Sequence, residues 1–302
     1  MKKVTFKEKT KESISAYIII APTVISFFIF LYIPFINAIK ISFYKYNGLG
    51  ELTDFVALKN FIKILTDTKF YQSLGNTFVL MAAGICAAIP IGFLLAYVLY
   101  MDIPGKKLFN TALFIPYLIS MVVVGSIWRI IYDPTIGPLN QFLEMIGLKH
   151  LALPWLSRQS TSLWAIAVTW VWRSVPFNML IMYANILKMP VDMIEAADID
   201  GAGSAKKLRY VIIPYLASSF NVLIMLTVTN TLRIFDLVWV MTKGGPGGAT
   251  EVITSYIYRK AFNVLDFGGG TAASIILMVI MIGIMIVSTI LKNLRAEGEA
   301  YE

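Results

Sequence analysis

The chain has 302 residues, of which 58% are hydrophobic and 15% charged, with a formal net charge of +8. A mean hydropathy of +0.72, with charge far below the ~25% of soluble domains, excludes an ordinary water-soluble fold and leaves a polytopic membrane protein. A single cysteine and a single histidine exclude a disulfide framework, a cysteine metal site and most catalytic triads.

Residues 1–12 read as a solvated basic arm carrying Lys2, Lys3, Lys7, Lys9 and Lys11. Apolar runs then cover 13–39, 70–101, 108–128, 159–187, 210–232 and 267–291, the fourth broken only by Arg173. Each supplies the ~20 residues that cross ~30 Å of hydrocarbon as a helix. Isolated apolar strands would leave backbone groups unpaired in lipid, so helices are the expected form. The first run is too long for a signal-peptide core, contains Pro22 and Pro34, and lacks a small-residue cleavage site, so it is expected to stay. The short segments holding Lys106 and Lys107, or Lys188, Lys206, Lys207 and Arg209, or Lys292 and Arg295, are dense in basic residues. They place both termini in the cytoplasm, and topology rather than nucleic acid explains the positive charge. The expected fold is an all-α polytopic membrane protein with six transmembrane helices over 13–291, an arm 1–12 and a cytoplasmic tail 292–302.

After the first span, Phe55 to Tyr71 places Leu58, Phe61, Ile62 and Leu65 between lysines, as in an amphipathic helix lying at the interface. The second and third spans carry Ala82, Ala83, Gly84, Ala87, Ala88, Gly92, Gly125 and Ser126, small residues that let helices approach closely. Pro90 and Pro116 are expected to kink them. Arg129 can snorkel to the interface. The external loop 130–160 has turn signals at Asp133-Pro134, Gly137-Pro138 and Pro154-Trp155, with Trp128, Tyr132, Trp155 and Trp164 at the membrane edge.

Polar side chains within the later spans are the candidates for a solute path: Trp172, Arg173 and Asn178 in the fourth, Asn221 and Asn230 in the fifth, and Asp236 just beyond it. A charge within a span faces protein or water rather than lipid. Arg173 either pairs with a neighbouring helix or lines a polar path, and the asparagines serve equally as glue between helices. The run Gly244-Gly245-Pro246-Gly247-Gly248 cannot hold regular structure and forms tight turns. No Lys-Ser/Thr follows it, so it is not a phosphate cradle, and the chain has no nucleotide-binding motif of its own.

The segment 188–214 is charge-dense, with Asp192, Glu195, Asp198 and Asp200 among Lys188, Lys206, Lys207 and Arg209. Pro190 suits a helix first turn, Gly201 and Gly203 break the helix, and Ser204 is placed to cap the next one, which runs into Pro214. Amphipathy alone fits both a docking knob and a helix resting on lipid headgroups.

Glu195-Ala196-Ala197, then Gly201 after three residues, then Val211-Ile212-Ile213-Pro214 after nine more, resembles the EAA loop of ATP-binding-cassette importer permeases. The family pattern ends Ile-x-Leu-Pro, from which Val211 and Ile213 depart conservatively. Ile199-Asp200-Gly201-Ala202 resembles the carbohydrate-uptake branch, and Gly75-Asn76-Thr77, Pro176-Phe177, Gly244-Gly245-Pro246 with Thr250, and Tyr256 to Phe262 extend the likeness over nearly the whole chain. Pro22, Tyr32-Ile33-Pro34, Ser42-Phe43 and Tyr46-Asn47-Gly48 resemble the permease partner of the maltose, lactose and glycerol-phosphate type.

The resemblance implies a bacterial-type inner-membrane importer of a mono- or oligosaccharide working by alternating access. It implies a second permease subunit, two copies of an ATPase, an extracellular solute-binding protein and surrounding lipid. ATP and Mg would be held by the ATPase and no cofactor by this chain. Glu195, Ala196, Ala197, Asp200 and Gly201 would form the cytoplasmic coupling helix between the fourth and fifth spans. Glycerol phosphate or an amino acid is the alternative cargo. An ion-coupled secondary transporter would need acids within its spans, which hold none, and an embedded enzyme would need a nucleophile–base or metal constellation.

Overall fold

The computed structural model describes residues 17, 19–101 and 103–299. The basic arm 1–12 lies outside them. Four helices are long and apolar enough to cross a membrane alone: α1 (Ile19–Ser42), α3 (Thr68–Tyr100), α7 (Gln159–Ile186) and α13 over Phe267–Ile290. Six crossings result if each of two bent pairs counts as one span. These are α4 (Lys106–Leu118) with α5 (Met121–Ile131), and α9 (Ser204–Tyr215) with α10 (Ala217–Leu232). The shorter helices are α2 (Lys59–Leu65), α6 (Pro138–Met145), α8 (Val191–Ile199), α11 (Asp236–Met241) and α12 (Ile253–Tyr258). Helix α13 continues to Glu299, taking in much of the tail 292–302.

Prolines decide which spans stay whole. Proline lacks an N–H and its ring crowds the carbonyl four residues earlier. Ahead of Pro34, Pro90 and Pro214 the helix widens into a π turn, in which Ile33, Ile89 and Ile213 donate to Phe28, Gly84 and Leu208. The wider turn makes room for the ring, so the sequence-based expectation of a kink at Pro90 becomes a bulge within one continuous helix. Pro116 has no such turn. Its helix ends at Leu118, Ile119 and Ser120 are extended, and Ser120 Oγ accepts from Val123 N–H to start α5. The two helices meet at 98°, a break rather than the kink expected of span 108–128. Leu216 is the joint between α9 and α10, which meet at 62°.

The chain forms two compact units. The smaller comprises the residues up to Thr66 with Ile257–Ile276. In it a short antiparallel pair, β1 (Tyr44–Lys45) and β2 (Asp54–Phe55), follows α1. Buried Asn60 donates from Nδ2 to the carbonyls of Ser42 and Tyr44, both at 2.8 Å. Gly268 passes so close to Tyr44 that a Cβ would lie 2.1 Å from its carbonyl oxygen, and Gly268 N–H donates to Tyr46. Asp266 caps α13 by accepting from Gly269 N–H, and pairs with Lys63 at 3.0 Å. The amphipathic helix expected over Phe55 to Tyr71 is shorter, because Asp67 accepts from Lys69 N–H and starts α3 anew. Within α2 the buried side chains are Asn60 and Ile64, whereas Leu58, Ile62 and Leu65 stay exposed.

The larger unit comprises Asp67–Tyr256 with Leu277–Glu302. Its hub is α7, 56% of whose most apolar window is buried. Small residues of α3 set the approach. A Cβ on Gly92 would lie 2.6 Å from Asn178 Cβ and 2.9 Å from Met179 N, and one on Gly84 would lie 2.6 Å from Thr227. One apolar cluster gathers Leu80, Val124, Ile166, Trp170 and Leu237, and a second gathers Phe93, Met179, Met182, Leu216 and Leu223. In lipid such packing replaces the hydrophobic drive between helices.

Gly92→Ala is expected to force α3 from α7 at a cost on the order of 1–3 kcal/mol, the range for overpacking. Gly75→Ala, where nothing lies within 4 Å, is the control. Melting curves of the two variants in detergent check this; equal midpoints would contradict the close packing.

Candidate functional site

The segment 188–214 folds as α8, a turn and the start of α9. Pro190 takes the N-cap position of α8, and Asp192 sits in its first turn, where the helix dipole favours an acid. The helix stops in a Schellman motif: Ala202 N–H donates to Ala197 O at 2.9 Å and Gly201 N–H to Asp198 O at 3.0 Å. This requires the left-handed backbone that Gly201 supplies at φ +69. The capping residue of α9 is Gly203, not the expected Ser204, which is already helical and makes no cap. Lys207 pairs with Asp198, tying the start of α9 to α8.

The residues singled out here divide by face. Ala197 is buried, while Glu195, Ala196 and Asp200 are exposed. Ile194 packs with Leu208 and Val211 against buried Ile212. On the outer side Val191, Met193 and Ile199 are exposed, Ile199 at 87%. The two alanines therefore differ: one seats the helix and the other is presented outward.

A cavity of about 250 Å³ opens where the α4–α5 break and a break between α10 and α11 face α7. The α4–α5 break contributes Tyr117 and Met121, and the α10–α11 break contributes Arg233 to Asp236. Of the sequence candidates, Arg173, Asn178, Asn230 and Asp236 come together on its wall. Trp172 and Asn221 do not: Trp172 packs edge-on against Trp128 at 5.5 Å, and Asn221 is exposed on α10. The guanidinium of Arg173 lies 4.2 Å over the ring of Tyr117, which stacks on Phe177 at 5.0 Å. Tyr117 and Trp170 were not candidates from sequence. Pro116 is the signal that could have pointed to Tyr117, since a break turns the next residues away from helical packing.

The glycine-rich loop is held by side chains far away in sequence. Asn76 Nδ2 donates to Glu251 O at 2.9 Å and Gly248 O at 3.4 Å, Gln72 Nε2 donates to Gly248 O, and Thr77 Oγ1 accepts from Ile253 N–H. Thr250 Oγ1 donates to Gly245 O and lies 2.7 Å from Thr242 Oγ1. Thr242, Gly245 and Pro246 line a second cavity of about 420 Å³ with Arg129, Tyr132 and Asp133. The backbone N–H groups of Ile136 and Thr135 hold the Asp133 carboxyl below the usual carboxylate range. Among the described residues no three His, Cys, Asp or Glu side chains are grouped to hold a metal ion.

Residues 88–295 match the family model described as "Binding-protein-dependent transport system inner membrane component". The chain is 32% identical over 287 residues to a probable starch degradation products transport system permease protein, AmyD, of Thermoanaerobacterium thermosulfurigenes, covering 94% of this chain and 96% of that one. It is 31% identical over 285 residues to the sn-glycerol-3-phosphate transport system permease protein UgpA of Brucella abortus, covering 94% and 95%. A crystal structure of a bacterial ABC transporter involved in the import of the acidic polysaccharide alginate shares the fold, with a TM-score of 0.84 at 22% identity over 95% of this chain and 97% of that chain.

Asn76→Ala is expected to release the loop at a local cost of roughly 1–2 kcal/mol, two modest hydrogen bonds. Amide hydrogen exchange over 248–253 should quicken while the melting midpoint barely moves; unchanged exchange would show that the loop holds itself.

Proposed function

The chain belongs to the family of binding-protein-dependent transport system inner membrane components, and from that premise we propose that it is the permease subunit of an ATP-driven saccharide importer. Its work is transport rather than catalysis: it supplies two packings of the same helices with different affinity for the solute. In this reading the chain crosses the membrane six times with both termini in the cytoplasm, and α8 is the cytoplasmic coupling helix. Its partners are a second permease, two copies of an ATPase that binds ATP and Mg, and an extracellular solute-binding protein. Closure of the ATPase pair pushes α8, and α7, which ends at Ile186 just before α8 begins at Val191, carries the displacement to the cavity.

The observation that carries this reading is the outward face of α8, where exposed Val191, Met193 and Ile199 are interleaved with exposed Asp192 and Glu195. An apolar and acidic face on a nine-residue helix, seated by Ala197 and stopped by Gly201, fits insertion into a protein cleft. Acids of this density oppose a bed of anionic lipid headgroups. The saccharide cargo draws on the starch-product relative, and interrupted helices meeting at a cavity are a form that membrane transporters use for solute sites. The glycerol-phosphate relative supports a second reading, in which the same machinery carries a small phosphorylated solute.

Gly201→Val forces a β-branched residue into left-handed backbone, about 1–2 kcal/mol against the turn that ends α8, and Glu195→Ala removes an outward acid. Both should lower ATP-dependent uptake and weaken co-purification with the ATPase, about tenfold for each ~1.4 kcal/mol lost. Normal uptake in both variants would sink the coupling role.

A further inference from the structure

We infer that the cavity between the two helix breaks recognises a saccharide bearing an anionic group, a carboxylate or a phosphate ester, through Arg173. This rests on the reading of the cavity as part of the solute path. Arg173 lies near the middle of α7 (Gln159–Ile186), where a charge without a counter-charge is costly. Among the described residues no carboxylate lies within ion-pair distance of it. Tyr117 covers one face of the guanidinium at 4.2 Å, which leaves the planar N–H edge, and Nε is buried with no hydrogen-bond partner. One further donor on the same wall shares that condition, Asn178 Nδ2, on a side chain 3% exposed, while Trp170 Nε1 also lacks a partner but sits against Gly84 of α3.

The unpartnered atoms of Arg173 and Asn178 are both donors, so the complementary ligand brings acceptors. A hydroxyl oxygen suits the Asn178 amide. The guanidinium fork instead matches two oxygens of one carboxylate or phosphate group, the geometry in which arginine binds best. Arg233 and Asp236 also line the cavity, but both are exposed, whereas Arg173 is partly buried. The apolar rings of Tyr117, Trp170 and Phe177 provide walls for a sugar ring. At about 250 Å³ the space falls just below the ~300–1,000 Å³ of ordinary ligand pockets, suited to one terminal sugar rather than a length of chain.

The test uses the assembled transporter in detergent, read by tryptophan fluorescence during titration with methyl glucuronide, glucose 6-phosphate, methyl glucoside and inorganic phosphate. At least one anionic sugar should bind ten-fold or more tightly than methyl glucoside, and which of the two does so identifies the anionic group. Arg173→Gln should abolish the preference while neutral sugar still binds, and Arg173→Lys should keep part of it, with co-purification of the partner subunits reporting assembly. Equal binding of neutral and anionic sugars by the unaltered protein, or a preference that survives Arg173→Gln, overturns the inference and leaves the pathway reading standing. Inorganic phosphate binding as tightly as the sugar phosphate overturns the saccharide component. Failure of every sugar to bind overturns both readings.

Discussion

In hydrocarbon a helix must satisfy its own backbone, and each proline within it removes one donor and crowds one carbonyl. At Pro34 and Pro90 a π turn takes up the ring and the helix runs on, at Pro214 a π turn precedes the bend at Leu216, and Pro176 is held within the unbroken α7. At Pro116 the helix gives way, and Ser120 supplies a side-chain cap for its successor. An interrupted helix deep in the fold exposes polar backbone, which is tolerated where it is buried in protein or lines a cavity. Tyr117 and Met121, on either side of the interruption, do line one.

The cavity and the packing are two sides of one arrangement. Helix α7 is held to α3 by Gly92, whose missing side chain allows near-contact of backbones, while Gly84 admits the side chains of Thr227 on α10 and Trp170 on α7. Below Asn178 the same helix is sealed by Met179, Met182 and Ile186 against Leu216 and Leu223. Above it, Arg173 faces Tyr117 and the open volume rather than a carboxylate. A well-packed segment thus lies beside an incompletely satisfied one on the same helix.

Helix α8 meets the opposite demand. Its seat is small and firm, formed by Ala197, Ile194 and the ion pair between Asp198 and Lys207, and the Schellman turn fixes where it stops. Its outward face is exposed, with Val191, Met193 and Ile199 uncovered. The charge pattern of 188–214 marks this loop in the sequence, but only the fold distinguishes Ala196 from Ala197, one outward and one inward.

The amino-acid sequence alone determined the apolar runs, the basic flanks, the irregular glycine-rich loop and the EAA spacing. Each is a local property: hydropathy over twenty residues, the absence of a side chain or a donor, a fixed interval along one helix. It also marked Arg173, Asn178, Asn230 and Asp236 as polar residues out of place, and these meet on one wall. Trp172 and Asn221 carried the same signal and lie elsewhere, because polarity does not reveal the direction in which a helix turns its side chain. The tertiary structure alone decided the 98° and 62° bends, the stacking of Arg173 on Tyr117, and the bond from Asn76 to a loop 175 residues away. Those depend on which helices come to lie side by side. That is settled by the close fit of small residues against distant backbone, and no interval along the chain records it.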